Sequence, residues 1–211
     1  MNLKPAGQDR AWQKLARLYS THKDAPKNLP QGLLFLGPQR SGKKRAALAF
    51  YTLFLCLAPQ DDSPCGLCNS CLKITQNHHA DLVQIEPQGD QILIDDLREM
   101  KKMLYFAPIE GKFRLVIIDQ AHRFNATSAN SLLKILEEPP AHTRFILVTH
   151  ERGLVLPTLL SRCQFLYFSP LKESEESTAE KDSLEYQLDE KLIQAHKKAM
   201  GANSLQETFK F

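Results

Sequence analysis

Short apolar runs along the chain alternate with longer stretches in which apolar residues recur at helical spacing. Each run is nearly continuous in apolar residues and is bounded by turn or cap residues, which predicts a strand covered on both faces. The runs are LLFL (33–36), LVQI (82–85), RLVIID (114–119), FILVTH (145–150) and QFLYF (164–168). Strands that alternate with helices predict an α/β fold built on a parallel sheet with flanking helices.

Two helices are predicted in the first half of the chain. The segment from Ser41 to about Leu57 is almost entirely apolar after Arg45, which indicates a buried helix. Residues 95–105 have an amphipathic pattern, and this pattern predicts one apolar face. The members of that face are Leu97, Met100, Met103 and Leu104.

The clearest helical pattern is NATSANSLLKILEEPP at residues 125–140. Asn125 is a suitable N-cap, and the two prolines at the end stop the helix because proline lacks a backbone N–H. The apolar stripe of this helix is predicted at Ala129, Leu132, Leu133 and Leu136. Beyond Pro170 the composition becomes polar, which predicts an acidic linker over residues 171–182 and a helical segment within 183–211.

A glycine-rich loop, GPQRSGKK at residues 37–44, lies between the first predicted strand and the first predicted helix. Gly37, Gly42 and Lys43 have the spacing of a phosphate-binding loop, in which backbone N–H groups and the lysine face a phosphate. A hydroxyl that holds Mg²⁺ normally follows this lysine. Here the residue is Lys44, whose positive charge opposes a metal ion.

The strand RLVIID ends where the second half of a nucleotide-hydrolysing site is expected. Asp119 has the position of the carboxylate that holds Mg²⁺, but Gln120 replaces the glutamate that would activate water. A glutamine can orient a water molecule, yet it is no general base at neutral pH. Lys44 and Gln120 together therefore predict a degenerate site that does not hydrolyse nucleotide. They do not decide whether the site still binds ATP or ADP.

Three of the five cysteines are spaced Cys-x2-Cys-x2-Cys, at Cys65, Cys68 and Cys71. An odd number of cysteines clustered in this way in a cytoplasmic chain indicates metal binding rather than disulfides. Four thiolates around Zn²⁺ form a closed tetrahedral site, and such a site is structural because it leaves no position for a substrate.

The fourth ligand of this predicted zinc site is less clear from the residues alone. Cys56 is favoured because residues 58–64 can fold back from the end of the preceding helix, although His78 and His79 are alternatives. Cys163 lies far along the chain and is predicted to be a small core residue.

Composition and charge add little to this picture. The net charge is +3, with 27 basic and 24 acidic residues among 211, and residues 172–191 are acidic. The remaining basic body is compatible with DNA association, although an ordinary solvated surface explains it equally well. The sequence shows no secretory signal and no apolar stretch of ~18 residues, which predicts a cytoplasmic protein without a membrane span.

These motifs, in this order, resemble the bacterial clamp-loader ATPases of the AAA+ class. The resemblance covers about residues 5–170 and rests on the glycine loop, the Cys-x8-Cys-x2-Cys-x2-Cys insertion, SANSLLKILEEPP and LLSRC. Within that family the chain is most similar to the delta-prime subunits of DNA polymerase III, whose ATP site is degenerate. Gamma/tau subunits keep the hydroxyl after the loop lysine and the acidic pair at the end of the strand that corresponds to RLVIID. Lys44 and Gln120 therefore distinguish this chain from a gamma/tau subunit.

The resemblance also implies roles that the residues alone do not indicate. It implies that Arg162 is an arginine finger, which projects across a subunit boundary towards ATP bound by a neighbouring subunit. It implies a strand-end sensor at Thr149 and a zinc site whose ligands are Cys56, Cys65, Cys68 and Cys71. The implied partners are the gamma/tau and delta subunits, the sliding clamp and, through the complex, primed DNA.

The sequence-based hypothesis is a non-hydrolysing clamp-loader subunit, not an enzyme by itself, that helps to load the sliding clamp during DNA replication. Its AAA+ P-loop domain is predicted at residues 1–170, with a zinc module at about 56–80. About 40 residues follow Pro170, which are too few for the helical lid and collar of the family and predict a partial lid. Two alternatives stay open: an active gamma-type ATPase and a stand-alone zinc-stabilised binding module.

Overall fold

A computed structural model describes residues 4–171 of the protein, so the predicted linker and C-terminal helical segment lie outside the described residues. The strands are β1 (Gly32–Leu36), β2 (Leu82–Ile85), β3 (Arg114–Ile118), β4 (Thr143–Thr149) and β5 (Gln164–Tyr167). The α-helices are α1 (Asp9–His22), α2 (Lys43–Leu55), α3 (Asn69–Thr75), α4 (Ile94–Leu104), α5 (Ala126–Glu137) and α6 (Pro157–Leu160). Three 3-10 helices join them, η1 (Pro26–Asn28), η2 (Ala121–Arg123) and η3 (Arg152–Leu154).

The five strands form one parallel sheet in the order β2-β3-β4-β1-β5, which confirms the predicted α/β class. Because the strands are parallel, their carboxyl ends meet at one edge, and such edges are where open α/β sheets bind ligands. The glycine loop follows β1, Asp119 follows β3 and Thr149 ends β4. The fold therefore brings the three parts of the predicted nucleotide site to one edge.

The sheet separates two hydrophobic cores. One face packs against α1 and α2, and the other packs against α4 and α5. β1, β3 and β4 are buried along their whole length, as their continuous apolar character predicts. Within residues 4–171, none of the helices combines the length and hydrophobicity that crossing a bilayer requires.

The predicted strands and helices are present, but the prediction that every strand is covered on both faces is wrong for β2 and β5. These two strands form the edges of the sheet, and β5 exposes Gln164 and Tyr167. Asn125 caps α5 as predicted, because its side-chain Oδ1 accepts the backbone N–H of Ser128 at 2.8 Å. The prediction for Met103 is wrong, since this side chain is 44% exposed while the other three members of the predicted face are buried. An α-helix turns about 100° per residue, so Met103 points about 100° away from Leu104.

A buried ion pair fixes the loop that leads into β3. The Asp81 carboxylate accepts the backbone N–H groups of residues 109–111 at 2.7–3.0 Å, and Arg114 Nη2 lies 3.4 Å from its Oδ1. Burial acts to raise the pKa of Asp81, but the three N–H donors and the Arg114 guanidinium outweigh burial and lower it. A charged Asp81 therefore anchors residues 109–111 beside the sheet.

Candidate functional site

The glycine loop turns from β1 into α2 beside the end of β5. A Cβ atom at Gly37 would lie 2.5 Å from the backbone oxygen of Phe168, so a larger residue there would collide with the chain after β5. Gly42 has a φ of 77°, a left-handed conformation that glycine adopts at little cost. The path of the backbone therefore requires glycine at Gly37 and favours it at Gly42, whatever the loop binds.

Lys43 is buried within this loop and contacts the loop's own atoms. Its Nζ donates to the carbonyl oxygen of Gly37 at 2.9 Å, to the carbonyl oxygen of Pro38 and to Ser41 Oγ at 3.1 Å. Burial lowers the pKa of Lys43 to about 8, and the negative charge of Asp119 opposes this shift. The ammonium group has three hydrogens, so these contacts satisfy it, and a phosphate would have to replace at least one of them.

Lys44 and Gln120, the two residues on which the prediction of a degenerate site rests, have their own local contacts. Lys44 Nζ forms an ion pair with Glu86, the residue that follows β2. Gln120 has a φ of 50°, and its backbone N–H donates to Asp119 Oδ1 at 2.8 Å. The residue after Lys43 therefore has an ammonium group paired with Glu86, and the residue after Asp119 has an amide side chain.

Thr149, the predicted sensor, lies at the end of β4 and is buried. Its Oγ1 lies 2.9 Å from Nδ1 of His122 and accepts the backbone N–H of Glu151 at 3.1 Å. The rings of His122 and His150 meet edge to face with centroids 4.3 Å apart. Sequence reasoning missed these two histidines, although His150 ends the predicted run FILVTH and His122 follows closely on the run RLVIID.

The surroundings of His122 favour the neutral form of its imidazole. Burial lowers the pKa of this imidazole, and the neighbouring His150 lowers it further. His150 Nε2 in turn lies 3.0 Å from a carboxylate oxygen of Glu151. One possible ligand atom from each of these three residues lies within 4.8 Å of the others.

The four predicted zinc ligands come together at the end of α2 and the start of α3. One Sγ atom from each of Cys56, Cys65, Cys68 and Cys71 lies within 4.8 Å of the others. The Sγ atoms of Cys68 and Cys71 are 3.4 Å apart, and those of Cys65 and Cys71 are 3.9 Å apart. A tetrahedron with metal–sulfur bonds of 2.3 Å has sulfur–sulfur edges of about 3.8 Å, so these four residues fit a closed metal site.

The backbone around these cysteines also suits metal binding. The backbone N–H of Cys65 donates to Cys56 Sγ at 3.2 Å, and that of Cys68 donates to Cys65 Sγ at 3.4 Å. Backbone N–H groups of Leu67 and Cys68 lower the pKa of the Cys65 thiol to about 6, whereas burial raises the pKa of Cys71. N–H donors directed at sulfur stabilise thiolates, the form that binds a metal.

The alternative ligands suggested by the sequence lie elsewhere. His79 is buried outside the cysteine group, and its Nδ1 accepts the backbone N–H of Asp81 at 3.2 Å. His78 is exposed and does not belong to the group either. Cys163 is buried in the core between the sheet, α5 and α6, as predicted, and burial raises the pKa of its thiol to about 11.

Arg162 lies on the turn between α6 and β5. Its Nη2 donates to the Glu137 carboxylate at 2.6 Å, and its Nη1 donates to the carbonyl oxygen of Thr158 at 3.2 Å. Sequence reasoning missed Glu137 as a partner because 25 residues separate the pair. The guanidinium lies at the amino end of β5, which is the sheet edge opposite the glycine loop.

A parallel five-stranded sheet with a glycine-rich loop entering a helix at its carboxyl edge defines a P-loop fold. A solved structure with this fold is a DNA polymerase III gamma-subunit-related protein of Thermotoga maritima, which has a TM-score of 0.57 and 24% identity. The alignment covers 77% of this chain and 47% of that chain. The profile of the family described as DNA polymerase III, delta subunit, matches residues 7–172, and the chain belongs to this family.

Curated relatives carry names from the same polymerase. The chain is 36% identical over 144 residues to DNA polymerase III subunit delta' of Bacillus subtilis, which covers 68% of this chain and 44% of the relative. It is 37% identical over 131 residues to DNA polymerase III subunit gamma/tau of Mycobacterium bovis, which covers 61% of this chain and 22% of the relative. The chain thus spans less than half the length of either relative.

Proposed function

We propose that the protein is a delta-prime-type subunit of the bacterial DNA polymerase III clamp loader that does not hydrolyse ATP. The observation that carries this proposal is the pair of departures at Lys44 and Gln120, in separate halves of one site. Membership of the polymerase III family supports the assignment of this chain to the clamp-loader complex. Lys44 and Gln120 support the choice of a delta-prime subunit over a gamma/tau subunit.

The contacts of Lys44 support the proposal that the site does not hydrolyse ATP. Its ammonium pairs with Glu86 beside the glycine loop, where an ATPase needs a hydroxyl ligand for Mg²⁺. An ammonium has no lone pair, so Lys44 cannot supply the ligand that a hydroxyl would give to Mg²⁺. Gln120 removes the general base as well, so neither the metal nor the attacking water is supported.

Arg162 is proposed to act on a nucleotide held by a neighbouring subunit. β1 has five residues and spans about 15 Å, so an arginine at the opposite edge of the sheet cannot reach its own glycine loop. A guanidinium stays charged and can bridge oxygens of a transferring phosphoryl group, which suits a finger that acts in trans. The pair with Glu137 holds the group at the surface, and docking would exchange that carboxylate for phosphate.

The metal of the cysteine cluster is proposed to be Zn²⁺. Four thiolates are soft ligands that select zinc in closed tetrahedral sites. Such an ion would join the end of α2 to the start of α3 and would fix the 57–64 loop between them. Its role is structural, because no ligand position remains for a substrate.

The proposed partners follow from this role. They are the gamma/tau subunits that bind ATP, the delta subunit, the sliding clamp and primed DNA reached through the complex. The AAA+ domain, proposed at residues 1–170 with the zinc module at about 56–80, would supply a rigid body and the finger, while neighbouring subunits supply ATP hydrolysis.

The isolated, zinc-loaded protein is expected to release no phosphate from ATP above the background rate. The Lys43→Ala variant is expected to give the same rate. The wild-type protein already lacks the hydroxyl that holds Mg²⁺ and the glutamate that activates water, so removing Lys43 takes away no activity. Phosphate release with Mg²⁺, with and without primed DNA, measures this. Turnover that disappears in Lys43→Ala would instead favour the second candidate, an active gamma-type ATPase.

A further inference from the structure

We propose that His122, His150 and Glu151 form a second metal site, for a transition-metal cation such as Zn²⁺, at the carboxyl edge of the sheet. The three residues come from η2 and from the turn after β4, and Gln39 of the glycine loop borders them. This site is separate from the cysteine cluster, and it does not depend on the proposed clamp-loader function.

The ligand set and its geometry favour such a cation. One ligand atom from each residue lies within 4.8 Å of one from each of the others, which a single ion can bridge. Two imidazoles and one carboxylate are a common set of protein ligands for Zn²⁺, and a fourth ligand completes the coordination. Imidazole nitrogen also selects zinc, copper and nickel over Mg²⁺ and Ca²⁺, which prefer oxygen ligands.

Hydrogen bonding to Thr149 prepares His122 as a ligand. The Thr149 Oγ1 atom lies 2.9 Å from Nδ1 of His122 and 3.4 Å from the carbonyl oxygen of Glu151. With the hydroxyl hydrogen directed at that carbonyl, the Thr149 oxygen would accept an Nδ1–H of His122, and this tautomer would leave a lone pair on Nε2 for the ion. Metal-binding histidines commonly donate their other ring N–H to an oxygen in this way, which fixes the ring and raises its basicity.

The surroundings of His150 point to the same position. Its Nε2 lies 3.0 Å from Glu151 Oε1 and 2.9 Å from the side-chain amide of Gln39. A cation beside Nε2 would be attracted by the carboxylate, and the amide of Gln39, rotated so that its oxygen faces the ion, would supply a further ligand. The site would then contain three nitrogen or oxygen ligands from the sheet edge and one from the glycine loop.

Nearby charges permit the ion. Glu151 and Asp119 both place negative charge around His122, while Arg123 opposes a cation. The Arg123 guanidinium is directed to Asp90 at 2.9 Å and to the carbonyl oxygen of Gly89 at 3.0 Å, which reduces its effect. A bound ion would tie the glycine loop to β4 and η2, and so would stabilise this edge without a nucleotide.

Titration with Co²⁺ tests the site, after the cysteine cluster has been filled with one equivalent of Zn²⁺. The wild-type protein is expected to bind one equivalent of Co²⁺, seen by equilibrium dialysis and by weak visible bands without thiolate-to-cobalt charge transfer. The His150→Ala variant is expected to lose this binding. The His142→Ala variant, which removes an exposed histidine outside the cluster, is expected to keep it.

Two further variants separate a lost ligand from a damaged fold. Glu151→Gln keeps the size of an exposed side chain and is expected to abolish the second equivalent while leaving the circular dichroism spectrum unchanged. Thr149→Val is expected to weaken Co²⁺ binding by about 10- to 100-fold, the usual effect of removing a partner that orients a metal-binding histidine. Wild-type protein that binds no Co²⁺, or folded variants at His150 and Glu151 that still bind it, would overturn the proposal.

Discussion

The Cys71→Ser variant is expected to lose the metal and the ordered structure between α2 and α3. Cys71 is fully buried, and its Sγ lies within 3.9 Å of the sulfur atoms of Cys65 and Cys68, so it is central to the cluster. Structural zinc contributes apparent binding free energies of about 10–16 kcal/mol in small zinc modules, so its loss has a large effect. Metal analysis and hydrogen exchange over residues 56–75 measure both outcomes, and chelation of the wild-type protein should reproduce them.

Cys163→Ala is the matched control for this experiment. It also removes a buried thiol, but one that lies in the core beside α6 and far from the cluster in the sequence. This variant is expected to keep one equivalent of zinc and normal exchange protection over residues 56–75. If Cys71→Ser also retains stoichiometric zinc and full protection, the cluster is not the structural site that we propose.

Arg162→Ala is expected to lower ATP turnover in a reconstituted clamp loader while the complex still assembles. The site that the guanidinium faces would lose the positive charge that stabilises the transferring phosphoryl group, and arginine fingers contribute about 10³- to 10⁵-fold to kcat in related reactions. The measurement is DNA-stimulated ATPase activity of the gamma/tau subunits, with assembly checked by size-exclusion chromatography.

Two controls make this result specific to the finger. Arg98→Ala removes an exposed guanidinium on α4 that pairs with Asp95 of the same helix at 2.8 Å, and it should leave turnover unchanged. Glu137→Gln frees Arg162 from its carboxylate and keeps the finger, so turnover should equal or exceed that of the wild type. An exposed ion pair contributes about 0–1 kcal/mol, so this substitution should not affect folding. Full ATPase activity in Arg162→Ala would remove the proposed role.

Local sequence patterns predicted most of the sheet and of the glycine loop. The buried strands could be predicted because parallel strands covered on both faces are continuous in apolar residues. Gly37 and Gly42 could be recognised from their spacing, and the structure adds the reasons, a close approach to Phe168 and a left-handed φ. Sequence reasoning missed α1, because its buried face consists of only four residues and these lie among charged residues in the sequence. The four are Ala11, Trp12, Leu15 and Ala16.

Contacts between distant parts of the chain could not be predicted in the same way. The cysteine cluster was partly predictable, because three members lie within seven residues and only Cys56 needed a folded loop to reach them. The pairing of Arg162 with Glu137 depends on how α5 packs beside the turn before β5. The contact between His122 and His150 depends on the register of β3 and β4, which sequence alone did not supply.

The central claim is that this protein is a subunit of the clamp loader, and assembly tests it most directly. The zinc-loaded protein would be mixed with the gamma/tau and delta subunits of the same organism, and the masses of the resulting complexes would be measured by native mass spectrometry. We predict a complex that contains this chain together with gamma/tau and delta. Gamma/tau and delta that assemble without it, while the folded, zinc-loaded protein remains alone, would contradict the account.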